Sequence, residues 1–324
     1  MGTSRNKRLK DLDNSGFSGN TSTQGGRLLN RDGSTNLRKT GMPFFMRFSM
    51  YHSLLKMSSA RFLLMVFLFY TIINLIFACV YLAIGIDKLS GTSAGSNFFI
   101  NFSQAFFFSS QTMTTVGYGH VAPSGLVANT IASIESFLGI MTFALVTGMF
   151  YARFSRPKAF IRFSENFIIA PYKEGKAVMF RLATYKNNEL TDVEAQVTLA
   201  MQTNEHGILM TRFFPVKLEI ARINSLALSW TCVHPIDEDS PLFNMRKKDL
   251  VDSNIEIMVT IKGFDDHFSN TVQQRTSYTF HEMVYGAKFL PMYERSSSGE
   301  FTELRLNKVN DYIPHIFEEE SAAV

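Results

Sequence analysis

Residues 62–86 form a run of 25 residues without a charged side chain. Coiled as an α-helix, the run would reach about 37 Å, enough to cross the hydrocarbon core of a bilayer with some tilt. Asn74 is its only strongly polar residue. A soluble domain has little room to bury so long a helix on every face, so the expectation is a membrane span. The chain average hides this. Mean hydropathy is +0.02, and 19% of the 324 residues are charged, as in an ordinary globular protein.

A second apolar stretch covers residues 126–151, interrupted by Asn129 and Glu135. Gly139, Ala144 and Gly148 would let neighbouring helices approach closely. A carboxylate within a span is costly unless it faces protein or water, which makes Glu135 a candidate functional residue. A structural hydrogen bond inside the helix bundle would explain it equally well. Arg38, Lys39, Arg47, Lys56 and Arg61 precede the first stretch, and Arg153, Arg156, Lys158 and Arg162 follow the second. Only Lys88 lies between them. Lys and Arg collect on the cytoplasmic side, so both termini are expected there and residues 87–125 outside. The first 30 residues are polar and lack the apolar run of a secretory signal.

Other classes find little support. A net charge of +4 is too small to argue for nucleic acid. The two cysteines, Cys79 and Cys232, form no CxxC or Cys/His cluster, so neither a disulfide scaffold nor a zinc site is indicated. No GxGxxG or P-loop points to an enzyme.

The expected organisation has six parts. Residues 1–42 read as a polar tail with one short strand near the turn Arg31-Asp32-Gly33-Ser34. In residues 43–60, Phe44, Phe48, Tyr51, Leu55 and Met57 recur at helical spacing, as in an amphipathic helix lying on a membrane surface. Residues 61–152 would form a helical membrane domain, with long apolar helices at 62–86 and 126–151 and a shorter segment at 101–119 between them. Residues 153–159 would link it to a β domain at 160–315, and 316–324 read as an acidic tail. Seven short runs (167–170, 177–183, 193–201, 226–233, 255–261, 277–280 and 288–293) are rich in β-branched and aromatic residues. Turn pairs such as Glu174-Gly175 and His206-Gly207 separate them, which suggests a β-sandwich.

The segment between the two apolar stretches carries the chemistry. Its apolar part is too short to span and can only enter and return. It ends in Thr115-Val116-Gly117-Tyr118-Gly119. A dehydrated K⁺ needs several oxygen ligands, and successive backbone carbonyls of Thr115, Val116, Gly117 and Tyr118 can supply them. Such a run visits positive φ, which glycine adopts cheaply, hence Gly117 and Gly119. Thr115 adds a side-chain oxygen, and Tyr118 can turn outward to brace the filter against the pore helix. One chain makes one wall, so four copies around an axis are needed.

Three segments resemble the inward-rectifier potassium channel family, and particularly its bacterial members. They are FFFSSQTMTTVGYG at residues 106–119, YARFSRPK at 151–158 and HPIDEDSPL at 234–242. The resemblance covers roughly residues 27–315. It implies a homotetramer with a slide helix, outer helix, pore helix and inner helix, and a cytoplasmic immunoglobulin-like β-sandwich. K⁺ would be the transported ion, with no organic cofactor. Ba²⁺, Mg²⁺ and polyamines are the blockers implied, no nucleic acid is a partner, and the location is a bacterial inner membrane.

By the same resemblance, Tyr151 matches the inner-helix position that narrows the pore. Phe143 matches a position where strong rectifiers carry Asp or Asn; a phenyl ring there attracts neither polyamines nor Mg²⁺, and adds a second hydrophobic constriction. Helix packing is the other reading of both rings. Arg153, Arg156 and Lys158 match positions that contact phosphoinositide headgroups, and Lys56 and Arg61 would complete such a pocket. An ordinary positive-inside bias would also place cations there, and the sense of lipid regulation stays open. Glu194 and Asp266 match acidic positions lining the cytoplasmic pore. Gln111 and Val121 stand where animal members place a Glu–Arg ion pair behind the filter, and Glu135 would supply a carboxylate to that region. A membrane-anchored sensor with a vestigial pore is an alternative. A transporter subunit is another, but it would need several pore repeats where this chain has one.

Overall fold

The structure is a computed structural model, and it describes residues 27–43, 49–93, 97–186, 188–205, 208–315 and 317. Residues 44–48, part of the amphipathic segment, lie outside the described residues, as does the acidic tail after 317. The chain divides into two units. One is Thr40–Arg156; the other combines Met1–Lys39 with Pro157–Val324.

The first unit is helical. Helix α1 (Met50–Lys56) precedes α2 (Ser59–Ile84), α3 (Phe98–Met113) and α4 (Gly125–Phe154). Both α2 and α4 are long and apolar enough to cross a membrane. Large apolar side chains along them are exposed in the single chain, among them Leu64, Phe67, Ile72, Ile134 and Phe137. Such surfaces are stable against lipid or another apolar chain and not against water. Strands β1 (Leu89–Ser90) and β2 (Ala122–Pro123) pair antiparallel, closing the ends of the segment that holds α3. At 16 residues, α3 is about 24 Å long, short of a full crossing.

The second unit is a two-sheet sandwich. Its strands are β3 (Ile161–Phe163), β4 (Phe167–Tyr172), β5 (Gly175–Thr184), β6 (Leu190–Glu205), β7 (Ile208–Val216), β8 (Arg222–Ser225) and β9 (Ser229–Ile236). They are followed by β10 (Glu256–Asp265), β11 (Asn270–Thr279) and β12 (Met283–Tyr285). One sheet runs β11-β10-β6-β7 with β8 on β6; the other runs β12-β4-β5-β3 with β9 on β5. Residues two apart share a face. Val178, Phe180 and Leu182 of β5 therefore meet Val193, Ala195, Val197 and Leu199 of β6 and Ile257, Val259 and Ile261 of β10 in one core. Strand β7 lies where the sequence pattern shows only the His206-Gly207 turn. Its alternation is weak because Thr211, Arg212 and Pro215 interrupt the apolar positions.

Two details tie loose ends to this sandwich. Around the Gly33 turn, Leu29 bridges Thr35, and the buried Glu256 carboxylate accepts the Leu28 and Leu29 N–H groups at 2.7 and 3.0 Å. His234, the first residue of HPIDEDSPL, is buried. Its Nδ1–H donates to the Lys217 carbonyl at 2.6 Å, and its Nε2 accepts from the Ser240 hydroxyl at 2.8 Å. A carbonyl can only accept, which settles the neutral tautomer. Burial pushes the imidazole below its ordinary pKa.

Candidate functional site

The site grows from α3. Its first turn is capped by Asn97, whose side-chain oxygen accepts the Phe99 N–H at 2.9 Å. After Met113 the chain folds back onto the helix's last carbonyls. The N–H groups of Val116 and Gly117 both donate to the Gln111 carbonyl, at 3.0 and 3.4 Å. In a trans peptide the carbonyl of the preceding residue points opposite to the N–H. The carbonyls of Thr115 and Val116 therefore aim away from the pore helix. Gly117 has φ of +51° and Gly119 +81°. Thr115 has φ of +59°, a left-handed conformation uncommon for a β-branched residue. Strain of this kind persists where the surroundings over-determine it, here by the Thr115 N–H bond to the Thr112 carbonyl at 3.1 Å.

Tyr118 is 79% exposed, so its ring does not brace the pore helix of its own chain.

Behind this strip, one carboxylate fastens three helices. Glu135 of α4 is fully buried, together with Tyr81 of α2 and Ser109 of α3. The Tyr81 hydroxyl donates to Glu135 Oε2 at 2.6 Å. The Ser109 hydroxyl sits between Glu135 Oε1 and Asn74 Oδ1, the latter at 2.9 Å, and its single proton serves one of them at a time. Asn74 Nδ2 donates to the Tyr70 carbonyl at 2.7 Å, and Tyr70 is hydrogen-bonded to Ser110. The α4 backbone approaches the end of α3 at Gly139, where a Cβ would lie 2.0 Å from the Met113 carbonyl oxygen. Only glycine fits that contact. Sequence reasoning picked out Glu135 but missed Tyr81 and Ser109. The only hint was that Asn74 and Glu135 are the lone strongly polar or charged residues well inside their spans.

Along α4, Phe143 and Tyr151 are both about three-quarters exposed in the single chain. Eight positions apart, they lie about 12 Å apart along the axis and roughly 80° apart around it. Among the cations, Arg153 is half-buried, whereas Lys56, Arg61, Arg156 and Lys158 are exposed.

In the β domain, Glu194 lines a cavity of about 440 Å³ with Asp192, Arg222, Lys262 and Phe264. Asp192 pairs with Arg222, which holds the Asp192 carboxyl below its usual pKa. Two cations thus accompany two carboxylates in this lining. Asp266 is exposed and accepts a long hydrogen bond of 3.4 Å from Thr191.

Two membrane-length helices, a short helix with a strained carbonyl strip between them and a β-sandwich define a membrane protein of the pore-helix channel class. A family model described as "Inward rectifier potassium channel C-terminal domain" matches residues 161–313, and one described as "Ion channel" matches 61–156. The chain is 32% identical over 275 residues to "Inward rectifier potassium channel Kirbac3.1" of Paramagnetospirillum magnetotacticum, covering 84% of this chain and 91% of that protein. The chain therefore belongs to the inward-rectifier potassium channel family, with a bacterial relative. This is a family of ion channels and not of enzymes, and K⁺ is the ion it implies. A crystal structure of Spo0M, a sporulation control protein from Bacillus subtilis, aligns with 37% of this chain and 48% of that one. At 11% identity and a TM-score of 0.21, that likeness has no bearing on the fold.

Proposed function

We propose that four copies of this chain form a K⁺-selective pore in a bacterial inner membrane, with both termini cytoplasmic. The outward-aimed carbonyls of Thr115 and Val116 carry this reading. With Gly117, Tyr118 and Gly119 they form one wall of a filter that replaces the water around K⁺. The exposed Tyr118 and the exposed apolar faces of α2 and α4 support assembly with lipid and with further copies. Uptake of ⁸⁶Rb⁺ into K⁺-loaded liposomes, blocked by Ba²⁺, tests it; purified protein giving no Ba²⁺-sensitive uptake would sink it.

Tyr151 closes the inner end of the pore, and Phe143 adds a second hydrophobic ring about 12 Å nearer the filter along the helix. Truncating Tyr151 to alanine removes most of the constriction. Single-channel recording should show open probability raised several-fold at unchanged selectivity; unaltered gating would deny Tyr151 this role.

The exposed cations Lys56, Arg61, Arg156 and Lys158 attract anionic headgroups, phosphoinositides included, at about 1 kcal/mol each near the surface. Neutralising all four to glutamine should flatten the response of flux to anionic lipid, and a full response would point elsewhere. Glu194 and Asp266 bias the β-domain path toward cations such as K⁺, Mg²⁺ and polyamines, an effect reduced near Glu194 by Arg222 and Lys262.

A further inference from the structure

Arg153 stands apart from the other cations at this end of the helices, because its side chain is already engaged by protein. Its Nη2 donates to the Met57 carbonyl at 2.6 Å and its Nη1 to the Leu54 carbonyl. Both carbonyls lie at the C-terminal end of α1. A helix C-terminus leaves its last carbonyls without partners and carries partial negative charge, so a guanidinium there satisfies both demands. The same group lies 4.7 Å from the centre of the Phe62 ring. Phe62 is 1% exposed and meets the Phe150 ring edge-on at 5.2 Å. One side chain thus joins α1, the start of α2 and the last turn of α4.

Its position along α4 matters as much as its partners. Arg153 follows Tyr151 by two residues, about 3 Å along the axis and roughly 200° around it. The ring proposed as the gate and the arginine therefore project from opposite faces of one helical turn. Resting on the channel reading above, we infer that Arg153 is a positioning residue that fastens the interfacial helix α1 to the inner helix at the level of Tyr151. Displacement of α1 reaches the gate through this guanidinium, and headgroups bind the other cations. Lysine cannot replace it fully, because one ammonium lacks the planar fork that serves two carbonyls and a ring face.

Single-channel recording in phosphatidylethanolamine bilayers, with phosphatidylglycerol titrated in, separates the two roles. In Arg153→Ala, open probability without phosphatidylglycerol should shift about tenfold or more, the factor expected for losing a charge-assisted hydrogen bond. The phosphatidylglycerol fraction giving half-effect should stay where it is in the wild type. Arg153→Lys should recover only part of the shift, and Phe62→Leu should reproduce part of it. Tetramer recovery on size exclusion checks assembly of each variant, and Phe62→Leu serves if Arg153→Ala fails to assemble. The inference is overturned if Arg153→Ala moves the half-effect fraction and leaves the lipid-free open probability alone. It is equally overturned if Arg153→Lys behaves as wild type. A wild-type protein that passes no K⁺ in these bilayers removes the channel reading itself, and this inference with it.

Discussion

On the filter reading proposed above, alanine at Gly117 should abolish K⁺-selective flux. The position has φ of +51°, and a Cβ built there meets nothing within 4 Å in its own chain. The penalty is therefore conformational. A left-handed conformation costs a residue with a Cβ about 1–2 kcal/mol, and four copies around one axis would carry it four times. The chain escapes by rotating the backbone at residue 117. That breaks the Gly117 N–H bond to Gln111 and turns the Val116 carbonyl, which belongs to the same peptide unit. An oxygen turned out of the strip leaves the ion short of ligands. Rb⁺ uptake should fall to background, or Na⁺ should pass as readily as K⁺. An intact preference for K⁺ over Na⁺ would refute the filter assignment.

Leucine at Glu135 should be nearly as damaging, by a different route. It leaves the Tyr81 hydroxyl without its acceptor and Ser109 with only Asn74, in a site fully closed to water. Each stranded polar group costs about 1–3 kcal/mol. Because the three groups sit on α2, α3 and α4, the loss loosens the pore helix against both long helices. The strip proposed as the filter follows directly on the end of that helix. We expect Glu135→Leu to lower the melting temperature of the purified protein and to remove selective Rb⁺ uptake. Glu135→Gln keeps the shape and one acceptor, so it should fall between Leu and the wild type. Tyr81→Phe removes one donor and should cost about 1 kcal/mol with selectivity retained. If Glu135→Leu melts and conducts as the wild type does, the carboxylate has no part in holding the filter.

The membrane helices and the glycine-bearing strip between them were readable along the chain because both depend on local rules. A span is set by hydrocarbon thickness against a rise of about 1.5 Å per residue, and residues 62–86 and 126–151 declare themselves by length and lack of charge. Positive φ in the strip is announced by Gly117 and Gly119. The β-sandwich was legible as a class from alternating runs, but β7 was not, since its apolar positions are broken by Thr211, Arg212 and Pro215. The cations after the inner helix were legible as a group. Their division was not, because the partners of Arg153 are backbone carbonyls 99 and 96 positions away, and every residue carries a carbonyl.

By itself, then, the sequence determined two apolar helices of membrane length, a glycine-bearing strip between them and a C-terminal β domain. These follow from hydropathy, glycine placement and period, which neighbours along the chain settle. Only the tertiary structure decided that Glu135 clamps Tyr81 and Ser109, that Tyr118 leaves its own pore helix free, and that Arg153 is bound to α1 while its fellow cations stay open. Those outcomes depend on which buried polar groups meet across helices, where an unmade hydrogen bond is too costly to leave.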